Sequence, residues 1–408
     1  MKQTGAARRW SGTLISFDEA IACTIKAAKP LDAERVPLDQ ADGRYLARPI
    51  VASFPSPAWP LSAMDGYAVR DGDVAQAPAR LEIVGKSFAG AGYAGEFPLG
   101  TCVRIFTGAP LPAGTERVVI QENVREEGNK AVFAEAPAGE RHVRQVGSDF
   151  QAGEVLVDAR CRLTPQRMIA AAAADLAELV VTREPRVFII CCGDELAEPG
   201  QSKGRPNSIS ESVSFGVAAL ARRYGAKIAG KTRKRDDLEE LQAEAARTME
   251  LSDVVVVTGG ASVGEKDFAK AMFAPLGMEF VFNKAAIKPG KPVWMGRVGE
   301  RMIVGLPGNP TAALVTARLF LAPLLTGMAG GDATEALTWR ELPLTLPVAA
   351  GGQRETFLRA KRDPGGASPL SNQDSAAQKV TAGSDLLIRR PIGAPPADTG
   401  TLVETLTF

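Results

Sequence analysis

The sequence predicts a multidomain protein of the α/β plus β class, and three observations support this fold class. The chain has 408 residues, which is enough for roughly two to four domains. Continuous apolar runs alternate with helical patterns between residues 186 and 326, as in a parallel sheet covered by helices on both faces. Short β-like runs with Gly- and Pro-rich turns lie on either side of that region and indicate additional β domains.

The composition excludes several classes of protein. Basic and acidic residues number 48 and 47, giving a net charge of +1, which argues against nucleic-acid binding through a generally basic face. No apolar run approaches the 18 or so residues of a membrane span, and the nearest, 168–181, is interrupted by Asp175 and Glu178. Residues 1–12 contain no apolar signal-peptide core. We therefore expect a cytoplasmic protein that binds neither membrane nor nucleic acid.

Cysteine and histidine usage narrows the chemistry further. The five cysteines include the adjacent pair Cys191 and Cys192 but no CxxC pair, so a disulfide framework or a thiolate zinc site is not expected. His142 is the one histidine, which excludes a multi-histidine metal site. We expect the adjacent cysteines to be buried packing residues. The chemistry should depend on carboxylates, lysines, backbone amides and a cation that prefers oxygen ligands.

The first half of the chain predicts a helix, a β insert and a second helix. Ser16 begins a capping-box sequence, and Pro30 should end the helix that follows it. Residues 54–144 have the short runs and turns of a small, mostly β domain. Thr164 as N-cap and Pro165 at the first helical position begin an Ala-rich helix. We expect the helices on either side of the insert to pack into one discontinuous domain.

The second half predicts an α/β domain followed by a small barrel. Apolar runs predict strands at 187–191, 254–258, 293–295 and 302–305, with helices at 213–224, 237–249 and 310–325. Later alternating runs predict a C-terminal β-barrel with strands at 342–346, 356–360, 386–388 and 401–405. The predicted domains are a discontinuous helical linker domain at 14–52 and 146–184, a β insert at 53–145, an α/β domain at 185–328 and a β-barrel at 335–408.

Ligands of parallel sheets bind beyond the carboxyl ends of the strands, where unusual loops occur in this sequence. The loop 259–267 is rich in glycine and precedes a helix, so its amides could form an anion cradle. It is not a Walker A sequence, because no Gly-Lys-Ser/Thr follows. The alternative is a Gly-rich turn with a surface Asp267. Both interpretations remain open from the residues alone.

Lysines and carboxylates provide further candidates near the same loops. Lys288 and Lys291 are three residues apart on a loop stiffened by Pro289 and Pro292, so an anion would relieve their mutual repulsion, and Lys284 lies nearby. Solvated surface lysines are the alternative. Glu195 follows a buried strand and should point into the ligand crevice, whereas Asp236 begins a helix and would by default cap it.

Seven motifs in order give a resemblance to a known family over nearly the whole chain. They are SAMDGYAV from Ser62, RIFTGAP from Arg104, Arg144 with Gly147 and Asp149, GDEL from Gly193, GGASVGEKD from Gly259, IKPGKP from Ile287 and GLPGNP from Gly305. With these motifs the chain resembles the molybdopterin molybdenumtransferase family, to which the C-terminal part of gephyrin also belongs. The α/β domain is accordingly identified as a molybdopterin-binding domain.

The resemblance implies a reaction and a set of partners. Adenylylated molybdopterin and molybdate would be the substrates, molybdenum cofactor and AMP the products, and magnesium the required cofactor. The resemblance further implies a homodimer, with a site between the α/β domain of one subunit and the β insert of the other. The adenylyltransferase of the same pathway and recipient molybdoenzymes are candidate partners.

The resemblance also implies roles for individual residues. The expected catalytic residues are Asp65, Asp149, Glu195, Asp236, Asp267, Lys284 and Lys288. The expected substrate-binding residues are Thr107, Arg144, Gly259, Gly260, Ser262, Gly264, Lys291, Pro307, Gly308, Asn309, Arg354 and Ser375. Glu195 and Asp267 are the expected metal ligands, and Asp65, Thr107, Arg144 and Asp149 would come from the facing subunit.

The chain departs from the usual family pattern at a few positions. Cys192 replaces a threonine before GDE, Asn207 and Ile209 stand where an aspartate and an asparagine are usual, and Ala261 replaces a valine. One alternative function is therefore a molybdopterin-binding or scaffolding paralogue that inserts no metal. Another is an adenylylating enzyme, because the related α/β module also serves that preceding step.

Overall fold

A computed structural model describes residues 14–259 and 268–408 of the protein. They form two compact units. The first contains the residues up to Ala47, together with Arg160–Leu163 and Leu179–Phe408. The second contains Arg48–Ala159 and Thr164–Glu178. The finer division into four domains stays a prediction.

A six-stranded sheet forms the centre of the first unit. Its order is Lys227–Lys234, Arg186–Cys192, Val254–Thr258, Arg301–Leu306, Trp294–Val298 and Glu279–Phe282. The first four strands are parallel and the last two are antiparallel to their neighbours. The predicted parallel sheet is therefore mixed. The reason is a two-residue hairpin loop in which Gly299 has a φ of 59°, a conformation that favours antiparallel pairing.

Helices cover both faces of this sheet because its central strands are apolar on both sides. All five residues of Val254–Thr258 are buried, and alternate side chains belong to two separate hydrophobic clusters. One face is covered by Val213–Arg223 and by the helical residues 310–328, and the other by Leu238–Leu251 and Phe268–Ala271. This arrangement confirms the layered α/β architecture that the apolar runs predict.

The helical residues 310–328 form the longest helix of the described chain. It consists of Pro310–Thr316, a π-helical turn at Ala317–Leu321, and Ala322–Met328. Its length and composition would suffice to cross a membrane, but 94% of its apolar window is buried inside the protein. The sequence-based choice of 168–181 as the nearest apolar run is therefore wrong, because residues 310–328 are longer and apolar enough despite Arg318. The burial is that of a core helix.

The N-terminal helix Phe17–Ala27 belongs to the first unit. The predicted capping box is confirmed: Glu19 N–H donates to Ser16 Oγ, and the Glu19 carboxylate accepts from Ser16 N–H. Phe17 packs edge-on against Phe320 and Phe357 of the same unit. The Ala-rich helix Pro165–Ala173, with which it was expected to pack, belongs to the second unit.

The C-terminal region forms a half-barrel sheet where the sequence predicted a small barrel. Its strands, in order, are Ile287–Lys288, Glu355–Asp363, Leu386–Arg390, Leu402–Thr407 and Arg340–Pro343, with Gly366–Pro369 attached to Glu355–Asp363. The first of these strands precedes the predicted barrel in sequence. The sheet therefore connects directly to the segment that carries the candidate lysines.

The second unit contains another six-stranded sheet, which confirms the β-rich insert. Its order is Arg117–Ile120, Gly66–Val69, Thr101–Ile105, Ala79–Ser87, Lys130–Phe133 and Val124–Glu127. Two short ladders pair Leu61–Ser62 with Val143–Arg144 and Ile50–Val51 with Val155–Val157. The buried side chains of Tyr67, Val69 and Phe133 form part of its core.

Candidate functional site

Four loops of the first unit meet at one edge of the six-stranded sheet. The parallel strands Arg186–Cys192, Val254–Thr258 and Arg301–Leu306 all end there. Trp294–Val298 runs in the opposite direction and pairs Trp294 with Gly305, so its beginning lies at this same edge. The antiparallel strand thus brings the segment that precedes it to the carboxyl ends of its parallel neighbours.

These loops surround a cavity of about 940 Å³. Eight of the sequence-predicted site residues line it: Glu195, Asp236, Gly259, Lys284, Lys291, Pro307, Gly308 and Asn309. The short ladder of Leu196–Ala197 with Ile209–Ser210 contributes a further wall. The volume falls within the range of small-molecule sites, roughly 300–1,000 Å³.

Glycine at the end of the central strand allows the loops to approach each other. Gly259 has a φ of 83°, and a Cβ atom at this position would lie 2.2 Å from the carbonyl oxygen of Cys192. A Cβ atom on Gly308 would lie 3.4 Å from Gly259 Cα. Only glycine fits at position 259, so main-chain groups rather than side chains form this part of the cavity wall.

Among the described residues three carboxylates line the cavity, and two of them were predicted. Glu195 is exposed, whereas Asp236 is half-buried and its N–H donates to Asp194 Oδ1 at 3.2 Å. Glu211 is buried, and its two oxygens accept from Ser214 N–H at 2.8 Å and Ser214 Oγ at 2.6 Å. Glu211 was not predicted from the sequence. It precedes the helix Val213–Arg223 and accepts from a first-turn amide, which has no partner within the helix.

The two members of the acidic pair Asp236 and Asp237 have different roles. Asp237, not Asp236, is the N-cap of Leu238–Leu251, and its side chain accepts from Glu240 N–H at 2.9 Å. The sequence favoured helix capping for this acidic pair. The structure assigns that role to one member and places the other in the cavity wall.

Cys192 contributes a neutral thiol to the cavity. Burial raises the pKa of the Cys192 thiol to about 12, and the negative charge of Asp236 adds to this effect. The exposed fractions of Cys191 and Cys192 are 2% and 4%, which confirms the prediction of buried packing residues. A thiol with such a pKa is protonated near neutral pH and is not a nucleophile.

The lysines predicted to act together line two different cavities. Lys284 and Lys291 line the first, as does Lys270, which the sequence analysis missed. Lys288 instead lines a second cavity of about 370 Å³, together with Arg354. Lys288 and Lys291, which were expected to bind a single anion together, therefore line different cavities.

Strand pairing accounts for this division. Ile287–Lys288 forms a parallel ladder with Glu355–Asp363 of the half-barrel, which directs Lys288 toward the C-terminal region. Gly290, with a φ of 105°, then turns the chain back toward Lys291. Arg354 is fixed beside this strand, where its Nη1 donates to Ile287 O at 3.4 Å.

Asn309 has the predicted position before a helix but a different partner. It is the N-cap residue of Pro310–Thr316, yet its side chain makes no capping bond to that helix. Its Nδ2 donates instead to Ser375 Oγ at 2.9 Å. Ser375, predicted from a weaker motif, thus lies beside the cavity-lining Asn309.

The candidate residues of the second unit include one hydrogen-bonded pair. Asp65 Oδ1 accepts from both Thr107 N–H and Thr107 Oγ1 at 2.8 Å. These bonds hold the pKa of Asp65 below its usual range. The antiparallel register, which pairs Gly66 with Ile105, explains why residues just outside the two strands meet. Asp65 is therefore a carboxylate at neutral pH.

Arg144 and Asp149 lie elsewhere in the second unit. Arg144 is exposed and its main chain pairs with Leu61. Asp149 is also exposed, and its N–H donates to Ser56 O at 2.9 Å. Both side chains are thus accessible.

Part of the predicted site lies outside the described residues, namely Gly260, Ser262, Gly264 and Asp267, together with the departure at Ala261. Within 14–259 and 268–408, no group of three or more His, Cys, Asp and Glu side chains is arranged to hold a metal ion. The carboxylates of Glu195 and Asp236 do line one cavity. Hard oxygen donors of this kind suit magnesium, which usually binds through one or two carboxylates and keeps several waters.

Comparisons with protein families agree with the resemblance seen in the motifs. Residues 15–174 match the MoeA N-terminal region, domains I and II, and residues 188–327 match a probable molybdopterin binding domain. The molybdopterin molybdenumtransferase of Haemophilus influenzae is 35% identical over 302 residues, or 74% of each chain. The corresponding protein of Synechococcus elongatus is 34% identical and covers 96% of this chain and 99% of its own.

A solved structure extends the likeness to the fold. The molybdopterin biosynthesis MoeA protein of Pyrococcus horikoshii superposes with a TM-score of 0.81 at 26% identity, covering 97% of this chain and 99% of that one. The resemblance inferred from the seven motifs is confirmed. The chain belongs to the molybdopterin molybdenumtransferase family of enzymes, and its role is in molybdenum cofactor biosynthesis.

Proposed function

We propose that this protein inserts molybdate into adenylylated molybdopterin, releasing AMP and forming molybdenum cofactor. The observation that carries the proposal is the cavity at the sheet edge, because lysines and carboxylates line the same space. Lys284 and Lys291 provide positive charge there, and Glu195 and Asp236 provide oxygen ligands. A phosphoanhydride and a molybdate dianion both require such neutralisation before they can be held close together.

The lysines and the close-packed main chain have separate tasks in this proposal. Lys284 and Lys291 bind the phosphate oxygens of the adenylylated substrate as point charges. The loop at Gly259 and Gly308 brings backbone rather than side chains to the wall, so that main-chain N–H groups can approach an anion. Lys288 and Arg354, at the second cavity, supply further positive charge for an oxyanion.

The carboxylates are proposed to hold magnesium. Glu195 and Asp267 are its ligands in this proposal, and Asp236 lies on the wall that Glu195 also lines. Magnesium, when bound, would neutralise phosphate charge and polarise the phosphoanhydride. The protein's own contribution is to place Glu195 just after the buried strand Arg186–Cys192, in the wall of the cavity.

The second unit is proposed to assist the loss of AMP from a facing subunit of a homodimer. Asp65 is ionised because Thr107 stabilises its carboxylate, so it can orient a water or accept a proton. Asp149 and Arg144 have accessible side chains and would act beside it. A cytoplasmic location, and contact with the adenylyltransferase and recipient molybdoenzymes, belong to the same proposal.

The test follows AMP while molybdate is titrated into purified protein with adenylylated molybdopterin and magnesium. We expect AMP release to depend on molybdate, and the product to reconstitute an apo-molybdoenzyme. Substrate binding without AMP release would contradict metal insertion and favour the scaffolding paralogue, for which no observation of the structure argues. Consumption of ATP would instead reveal an adenylylating enzyme.

A matched pair of variants sharpens this experiment. Lys284→Met removes a cavity lysine and should lower kcat/KM by about a hundredfold, as expected for loss of a charge contact to a phosphoryl group. Lys361→Met removes an exposed lysine of the half-barrel that does not line the cavity, and it should leave kcat/KM unchanged. Equal activities of the two variants would remove Lys284 from the substrate site.

A further inference from the structure

Arg359 is a fully buried arginine of the half-barrel whose guanidinium is bonded to one loop. It is 1% exposed, and its Nη2 donates to Asp374 O at 3.1 Å and to Asn372 O at 3.4 Å. Burial lowers the pKa of Arg359, and the charge of Asp374 partly opposes this effect. A buried cation is costly where an apolar side chain would pack. The hydrogen bonds from Arg359 to the loop offset part of this cost and explain why an arginine occupies the position.

Gln373 ties the same loop to the main chain of Arg359. Its Oε1 accepts from Arg359 N–H at 3.0 Å, and its Nε2 donates to Arg359 O at 2.9 Å and to Leu370 O at 2.7 Å. The ladder between Glu355–Asp363 and Gly366–Pro369 ends at the pair Ala360 and Pro369. The Gln373 side-chain amide thus bonds to the main chain of Glu355–Asp363 at Arg359, one residue beyond the end of the ladder with Gly366–Pro369.

The loop then reaches the cavity through Ser375. Its carbonyl oxygen accepts from Thr311 N–H at 3.1 Å and Ala312 N–H at 3.4 Å, which are amides of the first turn of Pro310–Thr316. Its Oγ accepts from Asn309 Nδ2. First-turn amides of a helix have no partner within the helix, so Ser375 supplies the cap that the Asn309 side chain does not.

The next residues of the loop line the cavity themselves. Ala376 and Gln378 belong to its wall, as do Asn309 and Pro310 on the opposite side of the Ser375 contact. A continuous set of hydrogen bonds therefore leads from buried Arg359 to the cavity. None of the bonds involves a group that the proposed reaction consumes.

We propose that Arg359 and Gln373 are positioning residues, which hold residues 372–376 as a rigid wall of the cavity. The half-barrel thereby sets the shape of a site whose lysines and carboxylates come from the α/β sheet. The effect on substrate rests on the proposed function, whereas the effect on the loop does not. The two effects are tested separately.

Hydrogen exchange of the Thr311 and Ala312 amides tests the loop without any substrate. Arg359→Lys keeps the charge but loses the planar group that spans two carbonyls, and exchange of these amides should accelerate by about tenfold or more. Arg318→Lys is the matched control. Arg318 is also buried, 5% exposed, and donates at 2.7 Å to Thr407 O and Ala336 O, neither of which lines the cavity. Exchange of Thr311 and Ala312 in Arg359→Lys that is no faster than in the wild-type protein would overturn the proposal.

Steady-state kinetics of AMP release tests the consequence for substrate. Arg359→Lys should raise the KM for adenylylated molybdopterin by about tenfold while kcat stays within about twofold, since the wall shapes binding rather than chemistry. Arg318→Lys should change neither constant. An unchanged KM in a variant with accelerated exchange would overturn the assignment of the loop as a substrate wall.

The role of Arg359 and the proposed reaction are tested by different measurements. A wild-type protein that releases no AMP would contradict the proposed reaction, while the exchange experiment would still decide the role of Arg359. Should Arg359→Lys fail to fold, Gln373→Leu removes the second anchor and keeps the guanidinium. It must accelerate exchange at Thr311 and Ala312, and normal exchange in that variant would overturn the proposal.

Discussion

The two compact units arrange their candidate residues in different ways. In the first unit, most candidates follow the ends of parallel strands and surround one cavity, because these strand ends lie at the same edge. Lys288 and Arg354 line a second cavity. In the second unit, Asp65 and Thr107 are 42 residues apart and meet through the register of an antiparallel pair. Site residues that follow the ends of parallel strands can therefore be inferred from local sequence. Site residues that meet across antiparallel strands can be found only when the strand register is known.

The two sites also differ in whether their geometry depends on the main chain or on side chains. The cavity edge depends on backbone packing at Gly259, where no side chain fits. The Asp65 pair depends on two hydrogen bonds to one threonine. A substitution at Gly259 should therefore lower the stability of the protein, whereas a substitution at Asp65 should lower its activity.

Gly259→Ala should have the largest effect on stability. The new methyl group would meet Cys192 O, and alanine would also be strained at a φ of 83°. We expect the free energy of unfolding to fall by about 3 kcal/mol, measured by urea titration. Gly204→Ala is the control, with a φ of 80° but open space around the glycine, and should cost about 1 kcal/mol. Equal losses would show that conformational strain, not loop packing, governs position 259.

Asp65→Asn should lower kcat for AMP release by about a hundredfold with little change in stability. The substitution keeps the shape and removes the charge that would orient water or accept a proton. Asp158→Asn, at an exposed position of the same unit, is the control and should retain full activity. Unchanged kcat in Asp65→Asn would remove that residue from the catalytic set.

A double-mutant cycle tests the division of the two lysines. Because Lys288 and Lys291 line different cavities, the effects of Lys288→Met and Lys291→Met on kcat/KM should add, with a coupling free energy below about 0.5 kcal/mol. Lys291→Met alone should raise the KM for adenylylated molybdopterin by about tenfold. A coupling above about 1 kcal/mol would instead restore the single clamp that the sequence suggested.

Thr107→Val should have the smallest effect, visible in the pH dependence. Bonds from Thr107 lower the pKa of Asp65, so the wild-type carboxylate persists to lower pH than an ordinary aspartate. Removing the hydroxyl bond should raise this pKa and move the acid limb of kcat toward higher pH. Carbon NMR of the Asp65 carboxyl follows the titration directly. A titration that stays in place would assign the shift to the Thr107 main-chain bond alone.

The fold of the first unit was largely predictable because its signals are local. The four valines of Val254–Thr258 predict a buried central strand, and the structure confirms it. Lys227–Lys234 was missed because an exposed edge strand, rich in lysine, has no continuous apolar run. The antiparallel direction of Trp294–Val298 depends on the tight turn at Gly299 and Glu300. The apolar runs that predicted the strands contain no information about this turn.

The candidate site was predictable only where residues lie next to strand ends. Glu195 and Lys291 are found in the cavity wall as the motifs suggested. Lys288 was predicted to act with Lys291, but it lines a second cavity because its short strand pairs with a segment some seventy residues later. The loop around Ser375 was weakly supported for the same reason, and Glu211 was missed because none of the seven motifs contains it. Their contacts with the cavity arise from packing, and sequence spacing carries no record of packing.

The turn at Gly299 and Glu300 has a practical consequence for labelling this protein. It joins two strands that remain paired over five positions, and both of its residues are exposed. Since the beginning of Trp294–Val298 lies at the cavity, this turn lies at the opposite edge of the sheet. Exposed turns of this kind tolerate inserted residues. A fluorophore-binding peptide placed here would report on the protein from the edge of the sheet opposite the cavity.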